Sequence, residues 1–338
     1  MTQQRTIAIS MLNLLLLTLI FYLWSSDLNS GHLLRYPKSY ESNTTQRNKL
    51  ANRTAIALVF YGRQRYIRIL YCYLVQNLID NGGVLSSVIF IAKTNEALDL
   101  PYLDEIVAKH PGRFFRKNTT NKEISFHEHY QSLISDQYYF KMDDDTVYIH
   151  PNTLASMLQA KLTHPEILFV SANVINHPIL GQVHAHMRAI HNLTGFENFT
   201  GSLHACDWRS YRCGVLQHES FIKRYKEGTL SAYMFPLWDF HHMETPGNYT
   251  GWSINFILFQ GKDVMGLDMG DDELQISRRI PTLQKKHSIA VGSALTVHFA
   301  YGSQRSKGLV GRAEYYLLDK YGEVAKNACS LKVSNTFT

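Results

Sequence analysis

The 338-residue sequence predicts an α/β fold, with a mostly parallel central sheet and helices on both of its faces. Three observations support this prediction. The first half of the chain alternates between short, continuously apolar runs and longer segments of helical period. Hydrophobic residues make up 45% of the chain and charged residues 18%, which allows a large core and excludes a disordered protein. An acidic cluster at 143–145 directly follows one apolar run, at the sheet edge where open α/β folds bind ligands.

The individual elements follow from this alternation. Residues 55–61 form a continuous apolar run that predicts the first buried strand, and the helical period of 67–78 predicts the next helix. By the same reasoning we expect strands over 88–92, 113–115, 138–142, 146–149 and 167–172, and helices over 98–109, 124–135 and 153–162. Beyond residue 173 the periodicity weakens. Residues 173–265 therefore predict loops and short elements, with no second series of buried strands.

A single transmembrane helix is predicted at the N-terminus. Residues 6–26 carry no charge, and as a helix they would span about 30 Å, the thickness of the bilayer hydrocarbon. A cleavable signal peptide would have a shorter apolar core and a small-residue cleavage site, which is not evident here. The expected organisation is a cytoplasmic tail (1–5), the anchor (6–26), a flexible stem (27–54), a catalytic domain (55–325) and a C-terminal tail (326–338).

Glycosylation sequons predict the compartment. Six Asn-x-Thr acceptors all follow the anchor: Asn43, Asn52, Asn118, Asn192, Asn198 and Asn248. We therefore expect a single-pass type II protein of the Golgi or endoplasmic reticulum membrane, with a lumenal body. In that oxidising space Cys206 and Cys213 could close a small disulfide loop, or remain separate buried thiols.

The net charge of +6 favours anionic partners such as nucleotides and phosphates. The basic residues are scattered, without a run of five or more, so we expect no nucleic-acid partner.

The acidic cluster contains the strongest chemical signal. Asp143, Asp144 and Asp145 repel one another unless a cation shares them, and their oxygen atoms suit Mg²⁺ or Mn²⁺. Such an ion can in turn hold a diphosphate. The alternative is a solvated acidic turn without a ligand.

Two later features have both a structural and a functional interpretation. Asp271 and Asp272 open an amphipathic helix, so either could cap that helix or act as a general base. His298 follows an apolar stretch near the end of the chain, where a histidine is either structural or a metal ligand.

Residues 141–148 resemble the metal-binding strand of fringe-type and β-1,3-galactosyltransferase-like enzymes, nucleotide-sugar glycosyltransferases of the Rossmann-like GT-A fold. The resemblance implies that Asp145 binds the metal directly and that Asp143 contacts the donor ribose, or the metal through water, with Asp144 beside them in the donor site. It also implies that Asp272 is the catalytic Asp or an acceptor-binding carboxylate and that His298 completes the metal site. Mixed Asp and His ligation suits Mn²⁺ better than Mg²⁺.

Four basic residues are candidates for donor binding. Arg305 and Lys307 follow His298 and could stabilise the charge of a diphosphate leaving group. Arg63 and Arg65 follow the first strand, where the resembling enzymes bind the nucleotide. Solvated surface charge is the alternative for all four.

The expected function is metal-dependent transfer of a sugar from a nucleotide sugar, with UDP-sugar as the first choice, to a glycan, glycoprotein or glycolipid. A metal-dependent phosphohydrolase or nuclease, and a catalytically silent carbohydrate-binding protein, are the alternatives. The donor, the acceptor, the family within the fold and the stereochemical course stay open.

Overall fold

The computed structural model describes residues 53–93, 98–118, 127–190, 208–242, 248–309 and 311–333. The predicted anchor, nearly all of the predicted stem and Cys206 lie outside the described residues. Four of the six sequons also lie outside them: Asn43, Asn52, Asn192 and Asn198. Within the described ranges, no helix combines the length and the apolar character needed to cross a bilayer.

Nine strands in the described part of the chain form one mixed sheet. They are β1 (Ala55–Tyr61), β2 (Leu85–Ala92), β3 (Phe114–Asn118), β4 (Tyr138–Asp143), β5 (Thr146–Ile149), β6 (Val170–Ile175), β7 (Leu237–Asp239), β8 (Phe256–Gln260) and β9 (Ile289–His298). The strand order is β3-β2-β1-β4-β8-β6-β9-β5, and β7 also pairs with β9. Strands β3, β2, β1 and β4 are parallel, as are β6 and β9. The pairs β4–β8, β6–β8, β5–β9 and β7–β9 are antiparallel, so the sheet is mixed and not mostly parallel as predicted.

The helices alternate with the strands in the first half of the chain and cluster in the second. They are α1 (Gln64–Gln76), α2 (Asp99–Lys109), α3 (His127–Gln131), α4 (Thr153–Thr163), α5 (Pro178–His186), α6 (Tyr211–Lys226), α7 (Asp272–Leu274), α8 (Ile280–Gln284), α9 (Gly302–Gln304) and α10 (Arg312–Val333). Two π-helical turns, Gln275–Arg279 and Arg305–Leu309, follow α7 and α9. The helices predicted over 98–109 and 153–162 are confirmed to within one residue at either end.

Residues 173–265, predicted as loops and short elements, contain two short strands that join the sheet. Strand β8 is a continuous buried run in this segment, and it lies between β4 and β6 in the sheet. Strand β7 pairs with the first residues of β9, where Gly292 allows the close approach. A Cβ atom at Gly292 would lie 1.9 Å from the carbonyl oxygen of Phe235.

The connection between β4 and β5 brings the two halves of the sheet together. Only Asp144 and Asp145 join these strands, although β4 and β5 stand four places apart in the strand order. In a flat sheet that separation would be about 19 Å, which three residue steps of about 3.5 Å cannot span. The sheet therefore curls around the aspartates. Thr146 pairs with His298, and the carbonyl oxygen of Asp145 accepts a hydrogen bond from the Phe299 amide at 2.9 Å.

The C-terminal helix α10 packs on α1 and is attached to it near both ends. Cys72 of α1 forms a disulfide with Cys329 of α10. Near the other end, buried Glu314 accepts a hydrogen bond from the Tyr66 hydroxyl and lies 3.0 Å from Arg65. Helix α10 continues through the boundary predicted between residues 325 and 326. Cys213 is also disulfide-bonded.

Candidate active site

Three predicted metal ligands meet at the edge where β4 and β9 end. Asp143 is the last residue of β4, and His298 is the last residue of β9. Asp145 lies in the connection that crosses from β4 to β5. His298 Nε2 is 3.3 Å from Asp145 Oδ1 and 3.9 Å from Asp143 Oδ2. The fold thus brings together residues that are 155 positions apart in the chain.

The geometry and burial of this cluster fit a divalent cation. One ligand atom from each of Asp143, Asp145 and His298 lies within 4.8 Å of the other two. Asp145 is 1% exposed, and its Oδ1 makes no hydrogen bond within the described residues. A buried carboxylate oxygen without a donor is costly, so this atom is suited to accept a ligand. Two carboxylates and an imidazole form a donor set that suits Mn²⁺.

Two arginines neutralise the other oxygen of Asp145. Arg305 Nη1 donates a hydrogen bond to Asp145 Oδ2 at 2.9 Å, and Arg63 Nη2 lies 3.3 Å from the same atom. Burial opposes ionisation of Asp145, but His298, Arg63 and Arg305 outweigh it and hold its pKa below the ordinary value. Asp145 is therefore an anion with one oxygen held by guanidinium groups and the other directed to the cluster.

Asp144 is not part of the Asp143, Asp145 and His298 cluster and has other partners. Its carboxylate accepts hydrogen bonds from the Gly62 amide at 2.9 Å and from the Arg63 guanidinium. Burial raises the pKa of Asp144, and Arg63 opposes that shift. Asp144 thus fixes the loop between β1 and α1 and, through it, the position of Arg63. The predicted contact of Asp144 with the donor stays a prediction.

The other two predicted basic residues do not join the carboxylates. Arg65 pairs with Glu314, and its guanidinium lies over the ring of Tyr66. Lys307 is exposed within the π-helical turn after α9. Of the four candidates, Arg63 and Arg305 are therefore the pair that the fold places at the metal cluster.

In the acidic segment 271–273, Asp271 and Asp272 make different hydrogen bonds. Asp271 caps α7, since its Oδ1 accepts a hydrogen bond from the Leu274 amide at 2.9 Å. Asp272 Oδ2 accepts a hydrogen bond from the Tyr130 hydroxyl at 2.9 Å. The capping interpretation thus has a structural counterpart at Asp271, and the general-base role stays a prediction.

Glu273 is a site residue that sequence reasoning missed. Its side chain is exposed, and it interacts electrostatically with Lys141, Asp143 and Tyr301. Partial desolvation raises the pKa of Glu273, with Asp143 acting in the same direction and Lys141 opposing. The signal was available in the sequence, because Glu273 directly follows the two aspartates that were considered.

Sequence reasoning also missed the groups that hold Asp143. Lys141 and Asn255 are each 5% exposed, and each donates a hydrogen bond to one oxygen of Asp143. A lysine in an otherwise apolar strand, two residues before an aspartate, lies on the same face of that strand. That spacing could have identified Lys141, whereas nothing in the sequence around Asn255 indicates its role.

Comparisons with known proteins place the chain among solved structures of low similarity. No family model matches the chain, and no curated protein matches it. A mannosyltransferase from Pyrobaculum calidifontis in complex with GDP-Man and Mn²⁺ is 12% identical, with a TM-score of 0.47, over 94% of this chain and 81% of that one. Glucosyl-3-phosphoglycerate synthase from Mycobacterium tuberculosis, in complex with Mn²⁺, UDP-glucose and phosphoglyceric acid, is 10% identical, with a TM-score of 0.39, over 86% of each chain.

Two further similar structures are synthases that match a smaller part of this chain. The 4-diphosphocytidyl-2C-methyl-D-erythritol synthase from Anaerococcus prevotii is 12% identical, with a TM-score of 0.27, over 36% of this chain. The chain spans 55% of the length of that enzyme and 60% of a second synthase of the same name. At such identities and TM-scores none of these structures assigns a function, and the proposal below rests on the site itself.

Proposed function

We propose that this protein is a metal-dependent glycosyltransferase that uses a nucleotide-sugar donor, with UDP-sugar as the first choice. The observation that carries the proposal is the cluster of Asp143, Asp145 and His298, with two arginines beside it. A cation site flanked by guanidinium groups suits a diphosphate, whose negative charge both can share. The predicted acceptor is a glycan, glycoprotein or glycolipid.

The chain's own residues would act on both sides of the reacting bond. Asp143, Asp145 and His298 would hold Mn²⁺ or Mg²⁺, and the bound ion would supply Lewis acidity toward the diphosphate. Arg305 and Arg63 are each about a quarter exposed, so their guanidinium groups can also donate hydrogen bonds to the same diphosphate. Their charge stabilises the leaving group as the bond between the sugar and the diphosphate breaks.

We assign the acceptor-facing carboxylate to Glu273 in preference to Asp272. Asp271 caps a helix, and Asp272 accepts a hydrogen bond from the Tyr130 hydroxyl. Glu273 is exposed and interacts electrostatically with Lys141, Asp143 and Tyr301, and its raised pKa suits a group that takes the proton of an acceptor hydroxyl. If this assignment holds, Glu273→Gln lowers the transfer rate by 10²-fold or more. Asp272→Asn, by the same assignment, costs less than tenfold.

The compartment is also part of the proposal. Sequons at Asn118 and Asn248 lie on exposed residues, and the Cys72–Cys329 disulfide suits an oxidising lumen. The uncharged stretch over 6–26 supports a membrane anchor at the N-terminus. We therefore propose a type II protein of the Golgi or endoplasmic reticulum with a lumenal catalytic domain.

A thermal-shift panel on the full chain in mild detergent tests the proposal. We expect at least one of UDP, GDP and CDP to raise the midpoint of unfolding only when Mn²⁺ is present. A ligand at 100 times its Kd adds about 2.7 kcal/mol of stability. Asp145→Asn should abolish the metal-dependent shift, and the exposed surface variant Asp136→Asn should keep it.

The same preparation separates the alternative functions. Hydrolysis of phosphoesters without affinity for any nucleotide sugar would indicate the phosphohydrolase. Binding of glycans without binding of nucleotides would indicate the carbohydrate-binding protein. Either result would contradict the transferase proposal.

A further inference from the structure

Protein donors occupy both oxygens of Asp143. Lys141 Nζ donates to Oδ1 at 2.8 Å, and Asn255 Nδ2 donates to Oδ2 at 2.9 Å. Both donors are almost completely buried, and Lys141 is also held by the carbonyl oxygen of Ile254 at 3.2 Å. The Asp143 carboxylate, which is 26% exposed, therefore has one defined orientation before any cation binds.

The amide of Asn255 is itself oriented by two hydroxyl groups. Its Oδ1 accepts hydrogen bonds from the Tyr301 hydroxyl at 2.8 Å and from the Ser253 hydroxyl at 2.8 Å. Two donors on the oxygen leave the NH₂ group to face Asp143, which can only accept when it is ionised. The direction of the amide, and with it the hydrogen bond to Asp143, follows from these hydroxyls.

Tyr301 connects two candidate metal ligands, His298 and Asp143. Its ring lies edge-on to the imidazole of His298, with the ring centres 4.6 Å apart. Its hydroxyl reaches Asn255, which holds Asp143. One side chain thus contacts one candidate ligand directly and orients another through an amide.

We propose that Tyr301 is a positioning residue that preorganises the divalent-cation site by acting through Asn255 on Asp143. The proposal rests on the metal site described under the proposed function. Groups that orient metal ligands commonly contribute 10-fold to 100-fold to metal affinity. A free carboxylate at the mouth of the site would have to give up rotational freedom when the ion binds, and the hydrogen bonds from Asn255 and Lys141 remove that cost in advance.

The contribution of the hydroxyl can be separated from that of the fold. Ser253 bonds directly to Asn255 at 2.8 Å, so the buried amide oxygen keeps a donor when the Tyr301 hydroxyl is removed. The Tyr301→Phe variant also retains the ring that packs on His298. We therefore expect this variant to fold normally and to lose orientation at Asp143.

Direct titration of Mn²⁺ into the full-length protein tests the proposal. The electron paramagnetic resonance signal of free Mn²⁺ reports the bound fraction without any assay of transfer. We expect Tyr301→Phe and Asn255→Ala each to weaken Mn²⁺ binding by 10-fold or more. The matched control Tyr315→Phe, at a residue that is 63% exposed, should bind as the unaltered protein does.

A double variant tests whether Tyr301 acts through Asn255. If the Tyr301 hydroxyl works only through Asn255, the double variant binds Mn²⁺ as weakly as Asn255→Ala and no more weakly. Independent, multiplicative losses would overturn the proposal, as would a Tyr301→Phe affinity within twofold of the unaltered protein. Absence of Mn²⁺ binding in the unaltered protein would instead contradict the proposed function.

Discussion

Acidification should destabilise this fold through three buried histidines. His177, His184 and His218 are each at most 1% exposed, and burial lowers their pKa values to about 3, 3 and 4. Each is neutral in the folded protein at pH 7, because burial disfavours the charged ring. His218 Nε2 must donate to the carbonyl oxygen of Phe299, so its Nδ1 accepts from the Tyr321 hydroxyl.

These histidines also support the candidate active site. Phe299 directly follows the metal-ligand candidate His298, so His218 holds the end of β9. The Nδ1 of His177 caps α5, and its Nε2 bonds to the carbonyl oxygen of Ser253, whose hydroxyl bonds to Asn255. Protonation of the His218 ring would remove the acceptor of the Tyr321 hydroxyl, and protonation of the His177 ring would remove the cap of α5.

The sign and size of the effect follow from proton linkage. A group with a depressed pKa in the folded state contributes stability that is present above its unfolded pKa of 6.5 and is lost as the pH falls toward its folded pKa. Between pH 7.5 and pH 5.5 one such histidine accounts for about 1.4 kcal/mol, so the three account for about 4 kcal/mol. Burial lowers the pKa of His129 and His150 as well, which acts in the same direction.

Urea unfolding of the full chain at half-unit steps from pH 7.5 to pH 4.5 measures this dependence. His218→Asn should lower the slope of unfolding free energy against pH by about 1.4 kcal/mol per pH unit between pH 6 and pH 4.5, because one proton fewer is taken up. The exposed His186 offers a matched control, and His186→Asn should leave the slope unchanged. A total change below about 1 kcal/mol between pH 7.5 and pH 5.5 would refute the reasoning.

Three further predictions concern stability. Replacing Cys72 and Cys329 by Ser removes a cross-link between residues 257 positions apart, which should lower the unfolding free energy by about 5 kcal/mol in chemical denaturation. A loss under 1 kcal/mol would contradict this chain-entropy reasoning. Gly292→Ala should cost about 3 kcal/mol by the same measurement, because its Cβ would overlap the Phe235 carbonyl oxygen and separate β7 from β9. Gly322→Ala, in α10 with no atom within 4 Å of the new Cβ, should add about 0.8 kcal/mol of stability, and a decrease would be inconsistent with an unstrained helical position.

The first half of the fold could be predicted from the sequence because its signals are local. Strands β1 and β4 pair in the parallel part of the sheet and are largely buried, and buried parallel strands are typically apolar throughout. The predicted bounds 55–61 and 146–149 agree with the structure, and 138–142 differs by one residue.

The second half could not be predicted in the same way because its strands are short or interrupted. Strand β7 has three residues, and its pairing depends on Gly292 in a strand 50 residues later. Strand β8 is apolar, but it is antiparallel to both of its neighbours and is surrounded by polar loops that hide the alternation of strand and helix. Pairing between strands that are far apart in the chain produces no periodic pattern of apolar residues from which it could be predicted.

Some site residues could likewise be predicted from the nearby sequence, whereas others depend on contacts with residues far away in the chain. Asp143 and Asp145 were recognisable because they follow an apolar run at the edge of the sheet where open α/β folds bind ligands, whereas the role of His298 was implied only by the resemblance to GT-A enzymes. The sequence showed three adjacent carboxylates at 271–273 but could not show which of them faces the cleft, since adjacent residues at a helix start point about 100° apart. Tyr130, which lies 142 positions before Asp272, takes the Asp272 carboxylate as its hydrogen-bond acceptor. The hydrogen bond of Asp272 to a side chain of helix α3, a residue far away in the sequence, exists only in the folded chain.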